Sequence, residues 1–192
     1  LWDTGMMRLG KRNVGIACPI GQEANYREYG FELGHRSIRH EGIGGGSRPA
    51  GVVELATVPF DELVDYDRRL FPTARPAFLR AWIGQPEAVA LGLVRDGRLA
   101  GYGVIRKCHT GHKIGPLMAD DPEAAEALFE GLAAARRSES VYLDVPEPNQ
   151  AAADLAARHR MTPVSQTAWM FNREVPAIDL NRVFGMTNRG LG

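Results

Sequence analysis

The sequence predicts an α/β fold, and three of its features support that prediction. Apolar runs of strand length alternate with amphipathic helical segments along most of the 192 residues. An Asp96-Gly97 pair separates two such runs, which is a strong signal for a two-residue hairpin turn. Two distant segments, 13–39 and 140–172, also share one order of strand, short helix and strand.

The first forty residues predict the order helix, strand, helix, strand. A helical face spans 1–9, and the apolar run 13–17 is typical of a buried strand. A short helix over 22–29 closes at Gly30, because glycine adopts the left-handed C-cap conformation at little cost. Residues 31–39 then alternate in the manner of a strand.

A glycine-rich segment predicts a domain boundary. Residues 42–50 contain four glycines, a serine and a proline without apolar periodicity, which is the composition of a linker. We therefore divide the chain into an N-terminal part, 1–41, this linker, and a second domain, 51–192. Because the chain starts with Leu1 in an uncapped helix, we expect the N-terminal part to be the end of a truncated domain.

The second domain has the predicted hairpin near its centre and helices before and after it. A strong helix start stands at Asp120-Asp121, where Asp is a favoured cap and Pro122 follows in the first turn. The predicted strands are 52–58, 89–95, 99–107, 112–119, 141–145 and 164–171, and the predicted helices are 60–70, 76–83, 120–137 and 149–159.

Charge and composition exclude several classes of function. Lys+Arg and Asp+Glu number 23 each and basic runs are missing, so we expect no nucleic-acid partner. No apolar stretch reaches the ~18 to 20 residues that span a bilayer, so we expect no membrane partner. Cys18 and Cys108 lie far apart, and His109 and His112 flank a turn without further ligands, so neither a disulfide nor a metal is predicted. A cytoplasmic location is the resulting expectation.

The two repeated segments can be aligned residue by residue. The aligned pairs are Pro19 with Pro146, Gln22 with Asn149, Ala24 with Ala151 and, after a gap of three residues in the helix, Phe31 with Met161. The repeat predicts that residues 1–41 end a domain built like the one that follows.

Four short motifs carry a family resemblance. They are NYREYGF at 25–31, KIGPL at 113–117, DVPEPN at 144–149 and FGMT at 184–187. Together they resemble the GNAT superfamily of acetyl-CoA-dependent N-acetyltransferases, in its tandem-domain form. The resemblance implies a mostly antiparallel, twisted mixed sheet flanked by helices. It also implies acetyl-CoA as co-substrate, no metal, and a primary amine of a small molecule or peptide as acceptor.

The resemblance implies a catalytic role for Tyr26 in the N-terminal part. In many members a Tyr four residues before a Gly-Phe pair gives its proton to the leaving thiolate, and Tyr26 has that position. Gln22 and Asn25 are the implied contacts of the pantetheine arm, and the glycine-rich pyrophosphate cradle would precede Leu1. The alternative is that Tyr26 is only a packing residue on a short amphipathic helix.

The second domain departs from the pattern that catalysis requires. Ala156 takes the place of Tyr26 in the repeat and has no proton to give. Asp120 and Asp121 replace a glycine-rich cradle, and their carboxylates would repel phosphate. We therefore expect no conventional cofactor site in this domain.

Several residues of the second domain nevertheless remain candidates for binding. On the resemblance, they are Ile114, Gly115 and Leu117 for the pantetheine arm, and Lys113, Asp144 and Asn149 for the substrate. Each group has a structural alternative. The Gly-Pro pair is equally consistent with a simple bulge, Lys113 with a solvated edge residue, and Asn149 with a helix N-cap.

Three hypotheses for the whole function remain open. In the first, the parent protein is an N-acetyltransferase and this chain, without the upstream cradle, is inactive alone. In the second, the chain is a non-catalytic module that recognises a small molecule or a partner. In the third, the chain is a purely structural dimerisation half, which an exposed apolar patch on the truncated first domain would favour. A homodimer is therefore among the expected partners.

Overall fold

One continuous sheet runs through the computed structural model, which describes residues 2–188. Its strands are β1 (Gly15–Pro19), β2 (Glu32–Ile43), β3 (Val52–Glu54), β4 (Val89–Arg95), β5 (Arg98–Lys107), β6 (His112–Ala119), β7 (Ser140–Pro146), β8 (Thr162–Phe171) and β9 (Val183–Gly185). Their order is β1-β8-β2-β7-β6-β5-β4-β3, and β9 pairs with β6. The described pairs are antiparallel apart from β6 and β7, so the predicted mostly antiparallel mixed sheet is confirmed.

Helices pack on both faces of this sheet. They are α1 (Trp2–Leu9), α2 (Glu23–Arg27), α3 (Phe60–Arg68), α4 (Pro76–Ile83), α5 (Pro122–Ala134) and α6 (Gln150–Arg158). Side chains of α5 and α6 share one core cluster with Leu117 and Ala119, whereas those of α3 and α4 share another with Met118. This division follows from the alternation of side chains along β6. None of the helices within 2–188 has the length and apolar character of a membrane span.

Most of the predicted elements are confirmed within two residues of their predicted ends. Asp96 and Gly97 both have positive φ, 50° and 73°, as a two-residue hairpin turn between β4 and β5 requires. The predicted strand 52–58 is shorter, because β3 ends at Glu54 and a 3₁₀ turn over Leu55–Thr57 follows. Leu1, where the first helix was predicted to begin, lies outside the described residues.

The internal repeat is confirmed as two interlocked units, β1-α2-β2 and β7-α6-β8. In the order β1-β8-β2-β7, the second strand of each unit lies against both strands of the other unit. The helices also end alike, since Phe31 N donates to Tyr26 O at 3.1 Å and Met161 N donates to Ala156 O at 2.9 Å. Ala156 is therefore the structural counterpart of Tyr26.

Because the two units interlock, the predicted domain boundary does not separate two complete sheets. β2 continues to Ile43, so two residues of the predicted linker pair with Val141 and Ser140 of β7. β2 also lies between β7 and β8, inside the sheet of the predicted second domain. The division at 42–50 stays a prediction about the domains, but residues 51–188 take one internal strand from the N-terminal part.

Candidate functional site

The first candidate site is the gap between β6 and β7. These parallel strands pair only from His112 with Val141 to Ile114 with Leu143, and they separate beyond that point. The strand β9 pairs with β6 at Leu117 and Met118, past the point of separation. The gap that the resemblance assigns to a pantetheine arm is therefore occupied by the chain's own segment 180–187.

Segment 180–187 fits this gap closely. Phe184 is fully buried, and Met186 N donates to the carbonyl oxygen of Asp144 on β7 at 2.8 Å. A Cβ atom added to Gly185 would lie 2.6 Å from the Leu143 side chain, so this position has room for glycine alone. Both walls of the gap are thus in van der Waals or hydrogen-bond contact with the segment.

Lys113 fastens the segment from the side of β6. Its Nζ donates to the carbonyl oxygens of Met186 at 2.8 Å and Thr187 at 3.2 Å, and it pairs with Asp144 at 3.0 Å. Both charged side chains are only 3% exposed. Arg39 of β2 completes the network with a bidentate pair to Asp144 at 2.6 and 2.8 Å.

The network shifts the protonation of its members. Burial lowers the pKa of Lys113 to about 8, although Asp144 opposes this effect. Burial alone would raise the pKa of Asp144, but the hydrogen bonds and charges of Arg39 and Lys113 outweigh it and hold that pKa at about 2. The substrate contacts predicted for Lys113 and Asp144 stay predictions, since both groups are engaged here with each other and with the segment.

Asn149 fastens the same segment from the start of α6. Its Oδ1 accepts from Ala152 N at 3.0 Å, which confirms the predicted N-cap. Its Nδ2 donates to the carbonyl oxygens of Leu180, Asn181 and Val183 at 3.0 to 3.1 Å. The side chain is therefore satisfied within the chain, and its predicted substrate contact stays a prediction.

The three residues predicted to contact pantetheine also border this segment. Ile114 and Leu117 are fully buried. The carbonyl oxygen of Gly115 accepts from Trp82 Nε1 at 2.9 Å, and a Cβ at Gly115 would lie 2.4 Å from the Met186 carbonyl oxygen. A cofactor reaches these residues only if segment 180–187 leaves the gap.

The start of α5 stands where a pyrophosphate cradle would lie. Asp121 occupies the N-cap and accepts from Ala124 N at 2.7 Å, and Arg95 pairs with its carboxylate. Asp120 accepts from the Tyr66 hydroxyl at 2.8 Å and pairs with Arg182. The backbone donors that would bind a phosphate are thus capped by a carboxylate of the chain itself.

Tyr26 lies in different surroundings, on α2 near the edge strand β1. Its ring is half-buried against Trp2 and Phe31, with centroids 5.9 and 6.3 Å away. Its hydroxyl has no hydrogen-bond partner among residues 2–188. Gln22 and Asn25 are exposed and hydrogen-bond each other at 2.7 Å. The structure brings these three predicted residues together and keeps them apart from segment 180–187.

Sequence reasoning missed a cavity of about 420 Å³ on the other side of the sheet from α5. His35 of β2 and Trp169 of β8 line it, and their rings are nearly parallel with centroids 6.1 Å apart. Phe71 and Ile178 line it from loops after α3 and β8. No sequence signal marks this site, because the residues come from separate segments that only the strand order brings together.

Three polar side chains outside these sites are close enough to hold a metal ion. Glu126, Glu130 and His159 offer ligand atoms within 4.8 Å of one another. Glu126 is already paired with Arg158 and with His159, which is sufficient to explain the cluster. The absence of a metal stays a prediction.

The comparisons with known proteins agree with this fold. The sequence model described as "Acetyltransferase (GNAT) domain" matches residues 63–185, from α3 to the end of β9. The holothin acyltransferase of Pseudoalteromonas sp. (strain SANK 73390) is 27% identical over 139 residues, which make up 71% of this chain and 47% of that protein. The chain thus spans about half the length of this relative.

Solved structures show the same architecture. One from Pyrococcus horikoshii has a TM-score of 0.82 at 22% identity, covering 99% of this chain and 64% of its own. The tandem GNAT protein from the clavulanic acid biosynthesis pathway has a TM-score of 0.54 at 16% identity, covering 83% and 62%. With a family model that matches most of the chain and a shared fold, the chain belongs to the GNAT acetyltransferase family.

Proposed function

We propose that the chain is part of a tandem acetyl-CoA-dependent N-acetyltransferase that acetylates a primary amine of a small molecule or peptide. The observation that carries the proposal is the structural equivalence of Tyr26 with Ala156. The two units share the same backbone arrangement, but only β1-α2-β2 has a phenol, that of Tyr26, at the position of the catalytic acid. Catalysis is therefore assigned to that unit, and the remainder of the chain is an accessory.

The surroundings of Tyr26 suit a proton donor. An attacking amine forms a bond to the thioester carbonyl carbon, the carbon–sulfur bond breaks, and the thiolate needs a proton as charge develops on sulfur. The Tyr26 hydroxyl is not committed to a partner among the described residues. The exposed amides of Gln22, the N-cap of α2, and of Asn25, within α2, supply hydrogen bonds for the amide groups of pantetheine.

The second unit lacks room for the same cofactor. Segment 180–187 fills the gap between β6 and β7, and Asp121 caps the helix that would hold the pyrophosphate. Two separate parts of an acyl-CoA site are thus replaced by groups of the chain. These observations favour the accessory role for residues 51–188, which is also the alternative function of the chain as a whole. A cytoplasmic location and a homodimer are parts of the same proposal.

Calorimetry with acetyl-CoA tests the assignment. We expect no binding to this chain and binding to a longer chain that is extended upstream to supply a glycine-rich cradle. In the longer chain, Tyr26→Phe should lower kcat about 100-fold or more without changing KM for acetyl-CoA. Tyr29→Phe is the matched control, because Tyr29 lies on the same turn and is 56% exposed.

Three outcomes would contradict the proposal. Tight binding of acetyl-CoA by the present chain would place the cofactor in the second unit. Equal turnover of the Tyr26→Phe and Tyr29→Phe variants would remove the catalytic role of Tyr26. A longer chain that binds acetyl-CoA but releases no CoA with any amine would favour the non-catalytic hypothesis.

A further inference from the structure

The cavity beside His35 is built by both units. His35 and Asn13 belong to the N-terminal part, whereas Trp169 and Phe171 belong to β8. Phe71, from the loop between α3 and α4, and Ile178, from the segment after β8, also line the cavity. Because β2 and β8 are neighbours only through the interlocking, the cavity exists only where the two units are joined.

The walls are held in place by polar contacts behind them. Asp67 is fully buried and binds Arg75 in a bidentate pair at 2.8 and 2.9 Å. The Arg75 guanidinium lies 3.7 Å from the centre of the Phe71 ring, which fixes the loop between α3 and α4. On the other side, Asn13 Nδ2 donates to the Glu174 carbonyl oxygen at 2.6 Å. The cavity is therefore shaped in advance, which lowers the cost of binding.

The lining is uncharged and mostly apolar. None of the described residues that line the cavity is Asp, Glu, Lys or Arg. Burial lowers the pKa of His35 to about 4, so its imidazole is neutral at pH 7. A charged ligand would lose hydration there without gaining a counter-charge, whereas an apolar one would gain free energy from burial.

One polar atom in the wall lacks a partner. His35 Nε2 is buried and has no hydrogen-bond partner within residues 2–188. A buried nitrogen without a partner costs about 1 to 3 kcal/mol, so a rotation of the ring that brings Nε2 to a ligand in the cavity recovers part of that cost. The parallel ring of Trp169 beside it adds a flat aromatic surface.

We propose that this cavity binds an uncharged aromatic small molecule through apolar contacts and one hydrogen bond to His35. Its volume of about 420 Å³ lies within the ~300 to 1,000 Å³ range of small-molecule sites. The inference goes beyond the acetyltransferase proposal, because it requires neither acetyl-CoA nor Tyr26. Binding here would stand even if the catalytic assignment failed.

The fluorescent probe N-phenyl-1-naphthylamine tests the inference, since it is uncharged, aromatic and has one N–H group. We expect one molecule to bind per chain, at least about tenfold more tightly than 8-anilino-1-naphthalenesulfonate, which adds a negative charge to the same scaffold. Equal affinity for both probes, or no saturable binding of the uncharged one, would overturn the proposal.

Three variants locate the binding site. Ile178→Trp fills the cavity from its wall and should weaken binding at least about tenfold, whereas Val175→Trp, in the same segment but 46% exposed and outside the lining, should not. His35→Phe keeps a flat ring and should lower the affinity for the probe about fivefold, which corresponds to the loss of about one hydrogen bond. The same variant should bind 1-benzylnaphthalene, which has no N–H group, as well as the wild type does. An unchanged affinity of the probe for Ile178→Trp or for His35→Phe would contradict the assigned site.

Discussion

Ser37 and Thr167 face each other across β2 and β8, at the centre of the interlocked repeat. Thr167 is also paired with Pro19 of β1, and Ser37 with Pro146 of β7. The four residues form one row across four strands, in which the two aligned prolines hold equivalent outer positions. Both central side chains are buried, at 3% and 4% exposure. Each unit is therefore completed by a strand of the other.

This relationship predicts that the second unit does not fold without the first. A chain that begins at residue 44 lacks β2, so β7 and β8 lose their shared neighbour and expose unpaired backbone groups. We expect such a chain to show no cooperative thermal transition by circular dichroism, whereas the chain of 192 residues shows one. Adding a peptide that spans 30–44 should restore the transition. A cooperative transition of the shortened chain alone would show that the predicted boundary at 42–50 separates independent domains.

The local features of the fold were predictable from the sequence, whereas the strand order was not. The Asp96-Gly97 turn and the caps at Asp121 and Asn149 depend on a few adjacent residues, and each formed as predicted. The insertion of β2 between β7 and β8 depends on contacts more than a hundred residues apart, for which the sequence pattern contains no signal.

The same limit applies to the candidate site. Lys113 was predicted to face a cleft or solvent, because a lysine in a strand is seldom buried. Its burial depends on β9, which is only three residues long and has no strand periodicity of its own. The cavity beside His35 was missed because β2 and β8 were not expected to be neighbours.

Replacing Lys113 should destabilise the protein strongly. Lys113→Met leaves the Asp144 carboxylate with Arg39 alone and removes the donor from two carbonyl oxygens of segment 180–187. Removing one partner of a buried ion pair should lower the free energy of unfolding by about 3 kcal/mol, and urea denaturation measures this loss. Lys107→Met is the matched control, because its pair with Glu87 is 61% and 62% exposed and should contribute less than about 1 kcal/mol. Equal losses for the two variants would contradict the role of Lys113.

Asp144 should make the stability depend on pH in the acid range. Its pKa is about 2 in the folded protein, below the ordinary value of 3.8 for an aspartic acid, so the folded state binds fewer protons than the unfolded state between these values. Its stabilising contribution is present above about pH 4 and is lost as the pH falls towards 2. We expect the free energy of unfolding to fall by about 2 kcal/mol more for the wild type than for Asp144→Asn over this range. Parallel pH profiles of the two proteins would show that Asp144 is not stabilised as an anion.

Gly185 tests how tightly segment 180–187 fills the gap between β6 and β7. In Gly185→Ala the new methyl group meets Leu143 at 2.6 Å and Leu117 at 3.2 Å, inside a packed core that has little room to adjust. We expect a loss of about 1 to 3 kcal/mol in the free energy of unfolding and faster proteolytic cleavage within 180–187. Gly45→Ala is the control, because no atom lies within 4 Å of its added Cβ and its φ is not positive. If Gly185→Ala is as stable and as resistant as Gly45→Ala, the segment is loosely held. The gap would then be open to an acyl-CoA, and the second unit would again be a candidate for the active site.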